Sequence, residues 1–211
     1  AIGKASGIIL NLTGAGRTDA GVHATAQVAH FDLADFPSDE LFGALNHYVK
    51  PHPISILKVE EVDAEFHARF SATSRSYVYK ILNRLAPPAI DVNRVWHVKE
   101  PLDEKAMHEA AQVLIGTHDF SSFRAAPCQA KSPIRTVTKL VIDREGELIR
   151  INITAPSFLH NQVRIIVGNL REIGNGKISK ADLQNILQAK DRTIAKQTAP
   201  ATGLYMCDVA Y

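Results

Sequence analysis

Apolar and polar positions alternate in several short segments of the chain, which is the pattern of half-buried β-strands. The clearest case is residues 75–82, where tyrosine, valine, isoleucine and leucine occur among polar residues. Two later segments flank residues 144–147 and are predicted to pair as a hairpin across them. The predicted strands are residues 7–13, 27–33, 54–62, 75–82, 135–143, 148–154 and 205–211.

Four other segments have the apolar spacing of helices. They are residues 38–49, 102–115, 158–173 and a shorter helix that starts at Ser179. Ser38 is the predicted N-cap of the first, and Asp182 stands at capping-box spacing from Ser179. Because strands and helices do not alternate regularly, the pattern favours an α+β fold over a parallel doubly wound sheet.

The Pro87-Pro88 pair interrupts regular structure and is the predicted domain boundary. It separates an N-terminal half, residues 1–88, from a C-terminal half, residues 89–211. Each half contains both predicted strands and predicted helices, so each is expected to be α+β.

Composition is that of an ordinary folded protein, with 45% hydrophobic and 22% charged residues. No apolar run approaches the roughly 18 residues needed to cross a bilayer, so a cytoplasmic protein without a membrane partner is expected. Cys128 and Cys207 form no CxxC pair, and the nine histidines show no HExxH spacing. The sequence therefore predicts neither a disulfide framework nor a metal site.

The formal net charge of +2 is small, but the charges are unevenly distributed. Residues 69–84 and 120–142 each contain four basic residues and no acidic one, whereas acids cluster in residues 32–40 and 60–65. Such segregation would attract phosphates to the basic side of the molecule. Solvated strand and loop faces produce the same pattern, so charge alone does not establish nucleic-acid binding.

The glycine-rich loop Gly14–Ala24 is the main candidate for chemistry, because it places Arg17 and Asp19 among three glycines after a predicted strand. Glycines allow a loop to approach a ligand closely and present a side chain into a cleft. A phosphate-binding loop is disfavoured by the spacing and by the acidic side chain. A tight turn in which Asp19 is only a cap fits equally well. The residues alone do not decide between a turn and an active site.

The segment Gly16–Ala24, with the sequence GRTDAGVHA, resembles the signature of the bacterial tRNA pseudouridine synthase A family. The resemblance extends over almost the whole chain and includes four further motifs in the family's order. These motifs are residues 70–79, 118–123, 158–168 and 201–205.

The resemblance implies roles for four residues. Asp19 would attack the target uridine, after which the glycosidic C–N bond is cleaved, the uracil turns and a C–C bond forms. Arg164 would be the basic partner of Asp19, Tyr77 would pack against the base, and Arg17 would enter the RNA helix and support the flipped nucleotide. The reaction implied requires no cofactor and no metal.

Local spacing permits simpler interpretations of two of these residues. Arg164 shares helical spacing with His160, Gly168 and Arg171, so it would also fit a solvated helix face. Tyr77 lies on the same face of its strand as Tyr79, and a tyrosine in such a strand is ordinarily a packing residue. Only the resemblance favours a functional role for either one.

Members of this family consist of two ferredoxin-like halves that form a continuous mixed or antiparallel sheet, with helices packed on it and the catalytic cleft between the halves. They act as homodimers on the anticodon arm of tRNA, at uridines 38–40. Arg75, Lys131 and Arg135 are therefore candidate phosphate contacts. Family members begin with a strand and a helix before the aspartate loop, and we expect this chain to lack that edge of its first half.

Two other functions compete with this interpretation. One is an RNA-binding α+β protein without turnover, although a pure binder does not need an ionised acid facing an anionic ligand. The other is a nucleoside hydrolase or glycosidase, which would normally require a second carboxylate or a metal near the first.

Overall fold

A computed structural model of the chain describes residues 1–7, 10–33, 38–126, 128 and 130–211, with the backbone alone for residues 5, 6, 38 and 39. The regular elements of this part are α1 (Ile2–Ser6), β1 (Thr13–Gly14), β2 (His23–Ala24), β3 (Ala29–His30), α2 (Ser38–Tyr48), β4 (Ser74–Asn83), β5 (Trp96–Val98), α3 (Glu104–Ala111), β6 (Gly116–Asp119), β7 (Ile134–Val137), β8 (Lys139–Glu145), β9 (Leu148–Ala155), α4 (Gln162–Gly174), α5 (Lys180–Ala189) and β10 (Leu204–Ala210). None of the described helices is long and apolar enough to cross a membrane.

The chain divides into two compact units, and none of the three points at which it passes from one unit to the other falls at Pro87-Pro88. The first unit consists of Ala1–Gly16 and Val28–Ser71, and the second of Arg17–Gln27 and Ala72–Tyr211. The aspartate loop beyond Gly16 thus belongs to the second unit. The sequence-based boundary at residue 88 stays a prediction about domains.

The first unit contains less strand structure than the sequence predicts. The predicted strands at residues 7–13 and 27–33 are shortened to β1 and β3, which pair antiparallel. Residues 8–9 of the first predicted strand lie outside the described part. The predicted strand at residues 54–62 is wrong, because Ile56 exchanges both backbone hydrogen bonds with the side chain of Asn46 instead of with a neighbouring strand. Helix α2 confirms the predicted helix, whereas the predicted Ser38 cap lies outside the described side chains.

The second unit is built on a six-stranded mixed sheet. Its strands follow the order β2-β10-β4-β9-β8, and β5 pairs with the far end of β4. Strand β2 runs parallel to β10 and β5 parallel to β4, while the other pairs are antiparallel. The predicted strand at residues 75–82 and the hairpin across residues 144–147 are confirmed by β4, β8 and β9. Together with the helices, this sheet confirms the α+β class.

One face of the sheet forms the core with helices α3, α4 and α5. In β9 the side chains of Ile149, Ile151 and Ile153 are buried, while alternate positions are half-buried and polar or long. This period of two follows from the pleat of the strand, which turns successive side chains to opposite faces. The predicted strand at residues 135–143 is two strands, β7 and β8. Strand β7 pairs with β6, and from Thr138 onward the backbone pairs with β9 instead.

Helix α4 begins four residues later than its apolar pattern predicts. Asn161 has a positive φ of 61°, which is incompatible with the right-handed helix and places the start at Gln162. The shorter predicted helix is confirmed by α5, where Ser179 and Asp182 form the expected capping box.

Gly168 in the middle of α4 allows another part of the backbone to approach the helix closely. A Cβ atom placed on Gly168 would lie 1.8 Å from the carbonyl oxygen of Gln197. The segment that contains Gln197 and Ala199 therefore lies directly on α4, and Ala199 N–H donates to the carbonyl oxygen of Arg164 at 3.0 Å.

We expect Gly168→Ala to lower the free energy of unfolding by about 1–3 kcal/mol or more, because the backbone of residue 197 must move away. Gly43→Ala is the matched control, since Gly43 also lies inside a helix but has nothing within 4 Å of an added Cβ. There the loss of glycine flexibility should raise stability by up to about 1 kcal/mol. Urea midpoints of the two variants that shift in the same direction would contradict this account.

Candidate active site

The aspartate loop is anchored to the central sheet at its C-terminal end. Val22 N–H donates to the carbonyl oxygen of Asp19 at 3.0 Å, closing a turn in which Gly21 has a positive φ of 83°. Beyond the turn, β2 pairs with β10, and the ring of His23 stacks on Tyr205 with 4.6 Å between the centroids. The turn thus holds Asp19 at a fixed position beside the edge of the sheet.

The carboxylate of Asp19 accepts hydrogen bonds on both oxygens from residues near the start of α4. Arg164 Nη1 donates to Oδ2 at 2.9 Å, and His160 Nε2 lies 3.3 Å from Oδ1. The Asp19 side chain is 35% exposed. The carboxylate is therefore oriented by the protein and still accessible to a substrate.

Arg164 is held by the protein on three sides. Its Nη1 also donates to Asn161 Oδ1 at 3.0 Å, and its Nε donates to the carbonyl oxygen of Ala199 at 2.8 Å. Only 17% of the side chain is exposed, so the interpretation as a solvated helix face is wrong. Partnered donors of this kind fix the plane of the guanidinium and therefore the direction of the carboxylate.

The segment whose Ala199 carbonyl accepts from Arg164 is also hydrogen-bonded to the sheet, at the next residue. Tyr79 is fully buried, and its hydroxyl donates to the carbonyl oxygen of Pro200 at 2.8 Å. Pro200 directly follows Ala199, so β4, residues 199–200 and α4 are joined by consecutive hydrogen bonds. Tyr79 is the packing residue that its position in the strand predicts.

Tyr77 differs from Tyr79 although both lie on the same face of β4. Tyr77 is only half-buried. Its ring packs edge to face against the ring of Phe158, with 5.3 Å between the centroids. Burial raises the pKa of Tyr77 to about 12. The positive charge of Arg75 lowers this pKa, and the negative charge of the Asp19 carboxylate raises it further. At neutral pH its hydroxyl is consequently protonated, and part of its ring is available for contact with a ligand.

Arg17 is exposed, and within the described part of the chain it forms no hydrogen bond or ion pair. The structure therefore brings together Asp19, Arg164 and the region of Tyr77, while the side chain of Arg17 faces solvent. That placement leaves the Arg17 guanidinium free to interact with an RNA substrate.

The predicted phosphate contacts fare differently from one another. Arg75 is buried and donates to the carbonyl oxygens of Ala72 and Pro156, which does not fit a phosphate contact. Arg135 is half-buried and donates to backbone carbonyls next to it. Lys131 is exposed and remains a candidate.

Sequence reasoning overlooked His160 and Asn161. Both belong to the segment that resembles the family, and the spacing of His160 predicts only that it shares a helix face with Arg164. Its spacing of four residues from Arg164 was the available signal, but its contact with a residue 141 positions away is visible only in the fold. Among the described residues, no group of three histidine, cysteine or acidic side chains is arranged to hold a metal ion.

Comparison with known proteins identifies the family. A family model described as tRNA pseudouridine synthase matches residues 110–211. The tRNA pseudouridine synthase A of Paramagnetospirillum magneticum is 52% identical over 212 residues, which cover 100% of this chain and 83% of that protein. The proteins of the same name from Rhodospirillum centenum and Ehrlichia canis are each 54% identical over 198 residues, covering 93% of this chain and 81% of theirs.

The chain belongs to the tRNA pseudouridine synthase A family. It is thus an isomerase of tRNA processing, and the resemblance found in the sequence motifs is confirmed. As a tRNA pseudouridine synthase, it has tRNA as its substrate class.

The raised pKa of Tyr77 in this synthase predicts a pH dependence of stability. The group has a pKa of 10.0 in the unfolded chain and about 12 in the folded protein. The contribution of Tyr77 to the free energy of unfolding is therefore fully present below pH 10.0 and is lost as the pH rises through about 12.

We expect Tyr77→Phe to lose less stability than the starting protein when urea midpoints at pH 8 and pH 11 are compared, because phenylalanine does not ionise. Tyr48→Phe is the control, since Tyr48 is 38% exposed. An alkaline loss that is the same in Tyr77→Phe and in the starting protein would contradict the prediction.

Proposed function

We propose that this synthase converts uridine to pseudouridine in the anticodon arm of tRNA, at positions 38–40, with Asp19 as the catalytic nucleophile. The observation that carries the proposal is the Asp19 carboxylate, whose Oδ2 accepts from Arg164 at 2.9 Å while the side chain keeps 35% exposure. A group that attacks an electron-deficient carbon must be ionised, directed and accessible.

The reaction can be written with atoms balanced. Attack by an Asp19 oxygen accompanies cleavage of the bond between the sugar and N1 of uracil, which leaves as a bound base. The base turns so that C5 faces the sugar, a C–C bond forms, and the carboxylate is released. The proton on C5 is lost to solvent and N1 gains one, so the product is an isomer of the substrate.

Two further residues support this chemistry from the substrate side. Tyr77, which is only half-buried, would pack its ring against the extruded base, and an aromatic surface tolerates rotation of that base. Arg17, exposed and two residues from Asp19, would support the displaced nucleotide through its planar cation. Neither assignment requires a metal or cofactor.

The assembly that fits this proposal is a homodimer in the cytoplasm, with two ferredoxin-like halves in each subunit and with both subunits contacting one tRNA. Lys131 lies in an acid-free basic stretch and is exposed, which suits a contact with a phosphate of the bound RNA. Arg75 is left out of this surface because its guanidinium is buried.

The decisive experiment measures tritium release from a tRNA transcript labelled at C5 of uridine. The starting protein should release tritium, and Asp19→Asn should reduce release by at least about 10³-fold, because a neutral amide oxygen is a much weaker nucleophile than a carboxylate oxygen although the shape of the side chain is kept. Binding of the same transcript by Asp19→Asn, measured by filter retention, shows whether the variant is folded.

Release that persists in Asp19→Asn would remove Asp19 from the mechanism. A starting protein that binds the transcript but releases no tritium would favour the RNA-binding alternative. Formation of free uracil instead of pseudouridine would favour a nucleoside hydrolase.

The positions modified are tested with transcripts in which uridines 38, 39 and 40 are replaced by cytidine together. Tritium release should fall to background, because the proposed target bases are gone while the tRNA fold remains. A transcript with three uridines replaced in another loop is the control. Sedimentation of the protein at micromolar concentration tests the proposed dimer in the same preparation.

A further inference from the structure

His160 makes the second contact to the Asp19 carboxylate, and nothing in the mechanism above uses it. We propose that His160 is a positioning residue for catalysis, which holds Asp19 Oδ1 through a hydrogen bond from Nε2 while Arg164 holds Oδ2. This inference rests on the proposed role of Asp19.

The surroundings of the imidazole define which nitrogen carries the proton. Nε2 lies 3.3 Å from Asp19 Oδ1, and since a carboxylate only accepts, the proton is on Nε2. Nδ1 is buried and has no hydrogen-bond partner within the described part of the chain. A proton on Nδ1 would therefore be a buried donor without an acceptor, which supports Nε2 as the nitrogen that donates.

This arrangement assigns His160 to orientation and not to proton transfer. The Nε2 proton is already donated to Asp19, and the buried Nδ1 is out of reach of a substrate. Neither ring nitrogen is thus placed to exchange a proton with the RNA.

The backbone of His160 is fixed tightly enough for an orienting role. Its N–H donates to the sulfur of Cys128 at 3.4 Å, and its carbonyl oxygen accepts from Ala125 N–H at 3.1 Å. It is followed by Asn161 with positive φ and then by the rigid start of α4. The imidazole therefore approaches Asp19 from a backbone that is held on both sides.

The two contacts restrict the carboxylate more than either one alone. A hydrogen bond to Oδ2 only would leave Asp19 free to rotate about its last side-chain bond, which moves Oδ1 through an arc. The bond from His160 limits that rotation, and an oriented nucleophile reacts faster without binding substrate more tightly.

Three substitutions at His160 test the proposal. Phenylalanine keeps the approximate size of the ring but has no donor. Glutamine places an amide N–H near the position of Nε2, whereas asparagine is shorter and reaches only to the position of Nδ1. The readouts are the single-turnover rate of tritium release, the Kd for the tRNA transcript, and the thermal midpoint.

We expect His160→Phe and His160→Asn to lower the single-turnover rate about tenfold, with the Kd for tRNA unchanged. His160→Gln should stay within about threefold of the starting rate, because the donor is restored. His52→Phe and His52→Gln are the matched controls, since His52 is exposed in the first unit and should leave all three readouts unchanged. If His160→Phe does not fold, the comparison of glutamine with asparagine carries the same test.

Equal rates for the asparagine and glutamine variants would overturn the proposal, as would an effect confined to the Kd. Asp19→Asn in the same assay separates this failure from failure of the proposed function. If Asp19→Asn is inactive and His160→Phe keeps the full rate, only the role of His160 is lost. If Asp19→Asn keeps the full rate, the proposed function fails first.

Discussion

The arrangement of the candidate site depends on the guanidinium of Arg164. It donates to Asp19, to Asn161 and to the carbonyl oxygen of Ala199, and so it joins the aspartate loop, the start of α4 and the segment before β10. A cation that is only 17% exposed requires such partners, because a buried charge without them is strongly unfavourable. The demand for partners therefore ties together three segments that are far apart in sequence.

The surrounding packing makes that arrangement possible. Gly168 lets the backbone at Gln197 lie against α4, and two residues further along the chain the Ala199 carbonyl lies 2.8 Å from Arg164 Nε. From the other side, buried Tyr79 donates to Pro200 and holds the same segment to the sheet. A change at Gly168 or Tyr79 would thus reach Asp19 through Arg164, although neither residue contacts the carboxylate.

Local sequence signals predicted the elements whose stability is local. The capping box at Ser179 and the alternation in β4 and β9 are visible in the chain and present in the fold. The strand predicted at residues 54–62 is wrong: the backbone of Ile56 is paired with the side chain of Asn46 and not with a neighbouring strand. The late start of α4 depends on the φ of one residue, Asn161, which no apolar pattern records.

The same distinction applies to the site. Spacing in the glycine-rich loop left Asp19 equally a turn residue and an acid of an active site, and the structure is compatible with both: its carbonyl closes the turn with Val22, while its carboxylate accepts a hydrogen bond from Arg164. A main-chain role and a side-chain role do not compete, so evidence for the turn was never evidence against catalysis. What sequence could not supply was the position of the carboxylate's partners, which lie more than 140 residues away. The motif resemblance predicted Arg164 as a partner of Asp19, whereas His160 was identified as a partner only from the structure.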